Sequence, residues 1–253
     1  MQPGQFTWQN ARQYFDVVAP VVDPVAEAVL FVVPGSDGTG WPGPCFHRFW
    51  KVIITGHNAS GGKNKPSWQL GTPEWPAELA RALKSQVGRP LVLMGFSRGG
   101  WWGLEWFCNV EAGIFDRFIA VAGYPMNRYT GTAEEMARIA AALKRHPCPS
   151  FWCASTKDYF CQVDKAFRAF YVELLRRGPE GSSCTTNIDY QLNHEGLREA
   201  WKTNPEMPAA YLRFVETGDR TGLEALQPQA PTAAPPPPPP PAFQVRPLPA
   251  WLG

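Results

Sequence analysis

Short runs of apolar, largely β-branched residues alternate along this chain with longer segments whose apolar residues recur at helical spacing. This alternation is typical of βαβ units, in which a helix follows each strand and packs on the sheet. Several runs are apolar throughout, as expected for strands that helices cover on both faces. We therefore predict an α/β fold with a mostly parallel, twisted sheet of about seven strands. The predicted strands are Tyr14–Ala19, Ala28–Val33, Lys51–Thr55, Pro90–Phe96, Arg117–Ala122, Ser150–Ala154 and Thr185–Leu192.

The segments between the strands carry helix signals. Thr132 is followed three residues later by Glu135, which forms a capping box, and Gly178 follows two arginines, where a left-handed C-cap is expected. The predicted helices are Glu78–Ser85, Arg98–Cys108, Ala133–Arg145, Val163–Arg177 and Ala209–Glu216.

Composition divides the chain into a globular part and a tail. Residues 227–253 include the unbroken proline run Pro235–Pro241. Consecutive prolines lack amide donors and fix φ, so this run predicts an extended polyproline II segment without a core. We predict a single α/β domain at residues 1–226 and a disordered, proline-rich tail at 227–253.

Charge and cysteine usage exclude several classes of function. The chain has 24 Lys+Arg against 22 Asp+Glu and no dense basic run, so we expect no nucleic-acid partner. No apolar run approaches the roughly 20 residues of a membrane helix, and the first residues do not resemble a signal peptide. We expect a soluble, cytoplasmic protein. The cysteine spacings do not resemble a zinc site, so no metal is expected; Cys148 and Cys184, which lie near the starts of adjacent predicted strands, are a candidate disulfide.

One motif carries the strongest chemical signal. The predicted strand Pro90–Phe96 overlaps the segment Gly95-Phe96-Ser97-Arg98-Gly99, which fits G-x-S-x-G. A helical pattern follows directly. In this context the chain turns abruptly and exposes a serine at the carboxyl edge of the sheet, with glycines where side chains would collide. The alternative is a glycine-rich corner in which the serine is only a small turn residue. The strand and helix on either side favour Ser97 as a nucleophile.

A serine hydroxyl needs a general base. Among the four histidines we choose His194, which follows the last predicted strand in the loop Asn193–Gly196 and should lie at the same edge as Ser97. The alternative is a solvent-exposed loop histidine. Structural explanations account better for the other three histidines, His47, His57 and His146.

The base needs an acid that orients it. Asp158 lies in a loop directly after the predicted strand Ser150–Ala154, whereas Asp164 falls in a predicted helix and Asp189 in a predicted strand. An aspartate in a simple turn is the alternative. The order serine, aspartate, histidine is the one that α/β-hydrolases use.

Acyl transfer also needs donors for the oxygen that becomes negative. The backbone N–H of Arg98 follows the nucleophile, and the glycine-rich loop Pro34–Gly40 offers the N–H of Ser36. The predicted oxyanion hole therefore consists of Ser36 and Arg98. A flexible turn is the alternative for the loop.

With these residues the chain resembles the small α/β-hydrolases of the phospholipase, carboxylesterase and acyl-protein thioesterase group, with dienelactone hydrolases as relatives. Gly95–Gly100 is similar to that group's elbow, usually Gly-Phe-Ser-Gln-Gly-Gly, and Gly35–Gly40 resembles its oxyanion loop. The resemblance implies an α/β-hydrolase fold, and the lack of a long insertion between the predicted strands predicts no large lid domain. The chain departs from the pattern at Pro34, where a histidine is usual, and at Arg98, where glutamine is usual. Dienelactone hydrolases normally carry a cysteine as nucleophile, so Ser97 argues against that activity.

Substrate contacts are less constrained. Trp41 and Trp68 lie in loops expected near the site and Trp101 follows the elbow, so we predict that these three line an apolar pocket, although core packing is the alternative. The guanidinium of Arg98 would either favour an acidic substrate or pair with Glu105 or another acid.

Together these features predict a serine hydrolase that cleaves a small-molecule carboxylic ester or thioester without a metal or organic cofactor. The alternative is a catalytically inactive interaction protein of the same fold, which uses its proline-rich tail to bind a polyproline-binding partner.

Overall fold

A seven-stranded sheet forms the centre of the computed structural model of this chain. The structure describes residues 15–20, 28–35, 43–54, 74–123, 134, 137–138, 141–142, 145–153, 155, 157–158, 184–187 and 192–226. The strand order is β1-β3-β2-β4-β5-β6-β7; β1 is antiparallel to β3 and all other neighbours are parallel. The strands are β1 Phe15–Val18, β2 Val29–Val33, β3 Trp50–Ile54, β4 Leu91–Phe96, β5 Arg117–Val121, β6 Ser150–Cys153 and β7 Cys184–Asn187.

The helices surround this sheet. The bounds are α1 Glu74–Val87, α2 Arg98–Asn109, α3 His194–Thr203, α4 Met207–Thr217 and α5 Thr221–Ala225, with a short 3-10 helix at Pro44–Phe46. All described residues between 134 and 145 are helical, in agreement with the helix predicted there. The helix predicted at Val163–Arg177 and the tail at 227–253 lie outside the described residues.

The central strands are buried on both faces. Phe31 of β2 and Leu93 of β4 belong to a core cluster that includes Leu104 of α2, and their neighbours Leu30 and Met94 belong to a second cluster on the opposite face. Leu79 of α1 packs in the first cluster, and Leu197 of α3, Phe214 of α4 and Leu223 of α5 pack in the second. Burial of each large apolar side chain contributes about 1.5–3 kcal/mol. The predicted α/β class, with a mostly parallel sheet of seven strands and helices on both faces, is therefore confirmed.

The largest difference from the sequence prediction lies after β7. The segment Asn193–Gly196 was expected to be a loop, but α3 begins at His194. Asn193 Oδ1 accepts a hydrogen bond from the backbone N–H of Gly196 at 2.7 Å, as an N-cap side chain does. The helix prediction failed because this asparagine was interpreted as a loop residue rather than a cap.

The predicted disulfide between Cys148 and Cys184 is also wrong, because Cys148 is not disulfide-bonded. Cys184 pairs in register with Ser150, two residues beyond Cys148. The two cysteines are therefore offset by two residues along neighbouring parts of the chain. Among the described residues, no helix has the length and apolar content needed to cross a membrane.

Candidate active site

Ser97 alone connects β4 to α2. The strand ends at Phe96 and the helix begins at Arg98, so one residue makes the turn. Its φ of 54° and ψ of −126° are uncommon for a residue with a side chain. Backbone hydrogen bonds hold it in place: its N–H donates to Val121 O at 2.9 Å, and its carbonyl accepts from Gly100 N at 3.0 Å. A strained residue held in this way is typical of functional sites.

The glycines of the motif leave no room for side chains. A Cβ on Gly95 would lie 2.4 Å from Gly99 O, and a Cβ on Gly99 would lie 2.0 Å from Val33 O. Both obstacles are backbone atoms, so they cannot rotate away. The G-x-S-x-G pattern thus allows α2 to pack directly against the ends of β2 and β4.

The imidazole of His194 lies beside the serine hydroxyl. His194 Nε2 is 2.8 Å from Ser97 Oγ, and both residues are 3% exposed. The N-cap at Asn193 fixes where α3 begins and therefore where its first residue lies. The hydroxyl donates to Nε2 when the other ring nitrogen carries the proton.

Asp158 lies on the far side of the same imidazole. Its Oδ2 is 2.6 Å from His194 Nδ1, and the residue is fully buried. The turn before it is held by Ser155, whose Oγ accepts from Lys157 N at 3.1 Å and whose carbonyl accepts from Asp158 N at 3.2 Å. Nδ1–H donates to the carboxylate, which leaves Nε2 as an acceptor for the hydroxyl.

A second nucleophilic side chain lies close to this acid. Cys153 ends β6 and is buried. Burial, and secondarily the Asp158 carboxylate, raise the pKa of the Cys153 thiol well above its ordinary value. The thiol is therefore protonated at neutral pH, the form in which cysteine is a poor nucleophile.

The remaining predicted site residues divide into three groups. Arg98 is the first residue of α2, where backbone N–H groups lack intrahelical acceptors. Trp101 is 3% exposed and packs in the core cluster with Leu104, so its substrate contact stays a prediction. The third group, comprising Ser36, Trp41 and Trp68, lies outside the described residues.

Glu105, the acid considered for Arg98, bonds elsewhere. Its Oε1 accepts from Arg138 Nη2 at 2.8 Å.

His146 packs against Phe107 with ring centroids 4.3 Å apart. Burial lowers the pKa of His146, so the histidine is neutral in the core and its position is structural. The described part of the chain contains no cluster of His, Cys, Asp or Glu side chains that could hold a metal ion.

Two residues around the site were not singled out from the sequence. Phe96 contacts the imidazole of His194, with ring centroids 5.1 Å apart, and Ser155 shapes the turn before Asp158. The position of Phe96 inside the motif was available as a signal. A serine three residues before an aspartate signals a turn but does not indicate which side chain the turn orients.

Comparison with solved structures identifies the fold of this chain. No family model matches the chain, and no curated protein matches it. TT1662 from Thermus thermophilus aligns at 19% identity with a TM-score of 0.53, covering 81% of this chain and 92% of that chain. MenH from S. aureus aligns at 13% identity with a TM-score of 0.51, covering 79% and 97%. The Pyrococcus furiosus esterase Pf2001 aligns at 12% identity with a TM-score of 0.51, covering 80% and 89%.

These solved structures are α/β-hydrolases, so the chain has the α/β-hydrolase fold. The described residues include no large lid domain. At such identities the likeness establishes the fold alone, because one fold supports many chemistries.

Proposed function

We propose that this protein is a serine hydrolase that cleaves a carboxylic ester or thioester through an acyl-enzyme intermediate. The observation that carries the proposal is the continuous hydrogen-bonded series from Ser97 through His194 to Asp158, which starts at a strained backbone turn. The distances of 2.8 and 2.6 Å fall within the range for a nucleophile, its base and the group that orients the base.

In the first half of the reaction, Ser97 Oγ attacks the substrate carbonyl carbon while its proton moves to His194 Nε2. Asp158 stabilises the imidazolium that forms and keeps the ring in the required tautomer. The tetrahedral intermediate then breaks its bond to the leaving alkoxide or thiolate, which takes the proton from Nε2. In the second half, water gives its proton to Nε2, attacks the acyl-enzyme and releases the carboxylic acid as Oγ regains the proton.

The negative oxygen of the intermediate needs donors that are already in place. The N–H of Arg98 at the start of α2 is the first, and the positive end of the helix dipole supports it. The N–H of Ser36 remains our predicted second donor. Trp41, Trp68 and Trp101 remain the predicted substrate contacts, and no cofactor enters the scheme.

The leading test measures hydrolysis of p-nitrophenyl acetate and butyrate. Ser97→Ala is expected to remove more than about 99.9% of kcat, because loss of a catalytic nucleophile commonly costs 10³-fold or more. Ser85→Ala is the matched control, since Ser85 is an exposed serine on α1 whose hydroxyl donates to Ala82 O on the same helix. Equal rates for the wild type and the Ser97→Ala variant would refute the proposal.

The competing idea of an inactive interaction protein is tested by fluorophosphonate labelling. An activated serine is labelled covalently, and labelling should vanish in the Ser97→Ala variant but persist in the Ser85→Ala variant. A parallel panel of esters and thioesters of increasing acyl length would then identify the substrate class. An unlabelled, correctly folded wild-type protein would favour the interaction protein.

A further inference from the structure

Phe96 is the variable residue between the glycine and the serine of the elbow, and its ring faces the base of the proposed triad. The Phe96 and His194 ring centroids are 5.1 Å apart and the ring planes are inclined by 39°. Both residues are 3% exposed. The contact is therefore buried and brings the phenyl ring against the imidazole.

The hydrogen bonds of the imidazole do not fully fix its orientation. One bond is made at Nδ1 to Asp158 and the other at Nε2 to Ser97. The ring rotates about the Cβ–Cγ bond of the side chain, and both hydrogen bonds stay approximately formed over a range of this rotation, because each tolerates some misalignment. Because Nε2 lies off the Cβ–Cγ axis, this rotation turns its lone pair away from Oγ, and the hydrogen bond weakens as alignment is lost.

A group packed against the imidazole restricts this rotation, and the Phe96 ring lies beside it with the two ring planes inclined by 39°. Phe96 is also well fixed itself. It is the last residue of β4, pairs in register with Val121 of β5, and packs in the core cluster that contains Met94. Since Ser97 follows it directly, the same strand end positions both the hydroxyl and the surface that holds the imidazole.

We propose that Phe96 is a positioning residue for His194, whose ring blocks rotation of the imidazole out of the plane required for proton transfer from Ser97. This inference rests on the proposed function and goes beyond it, because it assigns a further contact that orients the base. It also explains what a flat, rigid side chain contributes at the variable position of the motif.

The test compares Phe96→Leu with a matched core substitution. Leucine keeps the position apolar but removes the flat face. A contact between aromatic rings contributes enough free energy to change the population of the favoured imidazole orientation about three- to tenfold. We therefore expect kcat for p-nitrophenyl butyrate to fall by about that factor. KM should change less than about twofold, because Phe96 acts on the base and not on bound substrate.

Phe151→Leu is the control. Phe151 lies in the same core cluster, is fully buried and contacts Tyr211. The strand registers place it two strands from Phe96 and two residues further from the carboxyl edge of the sheet. Its substitution should reduce stability by a similar amount and leave kcat within about twofold.

A ring-retaining variant covers the case in which Phe96→Leu folds poorly. Phe96→4-fluorophenylalanine keeps the shape of the ring face and should restore kcat to within about twofold of the wild type. Equal kcat values for Phe96→Leu and Phe151→Leu would overturn the inference, as would a fluorinated variant as slow as the leucine variant. Failure of the proposed function itself has a different outcome, since Ser97→Ala would then match the wild type.

Discussion

Gly99→Ala should show that close packing, and not helix propensity, requires a glycine at this position of the elbow. A Cβ at this position would lie 2.0 Å from Val33 O and 2.3 Å from Pro34 O. Both atoms belong to the backbone at the end of β2, and Val33 is the last residue of that strand. Ordinary contact begins at 3.4 Å, so the start of α2 and the end of β2 must separate by about 1.4 Å, the difference between 3.4 and 2.0 Å.

This displacement should reduce both stability and activity. Overpacking a core commonly costs about 1–3 kcal/mol, and a clash with two backbone oxygens belongs at or above the upper end, so we expect a loss of about 3 kcal/mol in the free energy of unfolding. Ser97 precedes the moving helix and its Oγ lies 2.8 Å from His194 Nε2. Misplacement of reacting groups by about 1 Å can cost about 100-fold in rate, which is the decrease we expect in kcat for ester hydrolysis.

Gly103→Ala supplies the control on the same helix, one turn further along. A Cβ at Gly103 would meet the Phe118 ring at 3.4 Å, an ordinary contact. Alanine is favoured over glycine inside a helix by about 1 kcal/mol, so this variant should be equally or more stable. Equilibrium urea unfolding, monitored by circular dichroism, measures both variants. The reasoning is refuted if Gly99→Ala unfolds with a free energy within about 1 kcal/mol of the wild type or if Gly103→Ala is the less stable of the two.

Three further predictions concern buried ionisable groups. Burial lowers the pKa of His146 in the folded state, so below about pH 6.5 the unfolded chain binds more protons and stability falls as pH falls. His146→Leu should weaken this loss of stability, measured by urea unfolding between about pH 7 and pH 5. Parallel curves of stability against pH for the wild type and the variant would contradict this prediction. Burial lowers the pKa of Lys51, and in the described part of the chain its amine makes one long hydrogen bond, 3.5 Å to Phe46 O. Because the buried charge is poorly compensated, Lys51→Met should raise the free energy of unfolding by about 1 kcal/mol at pH 7. A decrease of similar size would contradict this desolvation argument. Arg138→Met removes the donor from the buried Glu105 carboxylate and should lower the free energy of unfolding by about 1–3 kcal/mol in the same assay. Addition of Glu105→Leu should recover most of that loss. Full additivity of the two single-variant effects would argue against an interaction between Glu105 and Arg138.

The elbow could be predicted from sequence because its determinants are local. An apolar strand, two glycines around a serine and a following helix lie within one short segment, and each has a direct steric meaning in the structure. β4 was predicted as Pro90–Phe96 and is observed as Leu91–Phe96; α2 was predicted as Arg98–Cys108 and is observed as Arg98–Asn109. Such agreement is expected where periodicity and backbone sterics indicate the same structure.

Other features depend on contacts that a pattern does not carry. His194 was chosen for its position after a strand, yet the cap at Asn193 places it at the start of a helix. Phe96 was read as part of a strand, and its contact with the imidazole depends on how α3 approaches the sheet. The pairing of Glu105 with Arg138 likewise joins segments 33 residues apart, which helical spacing on α2 alone does not predict.

The sheet register explains how three distant residues reach one point. Phe96, Val121, Cys153 and Asn187 are aligned across β4 to β7, so these strands end at a common level. Ser97 follows its strand directly, Asp158 comes five residues after Cys153, and His194 comes seven residues after Asn187. With strands about 4.8 Å apart, β6 and β7 lie about 10 and 14 Å from β4, and five or seven residues can span these distances at about 3.3 Å each. The connection lengthens with the number of strands to be crossed, so a deletion of a few residues between β7 and His194 should abolish the proposed esterase activity even though the sheet itself is retained.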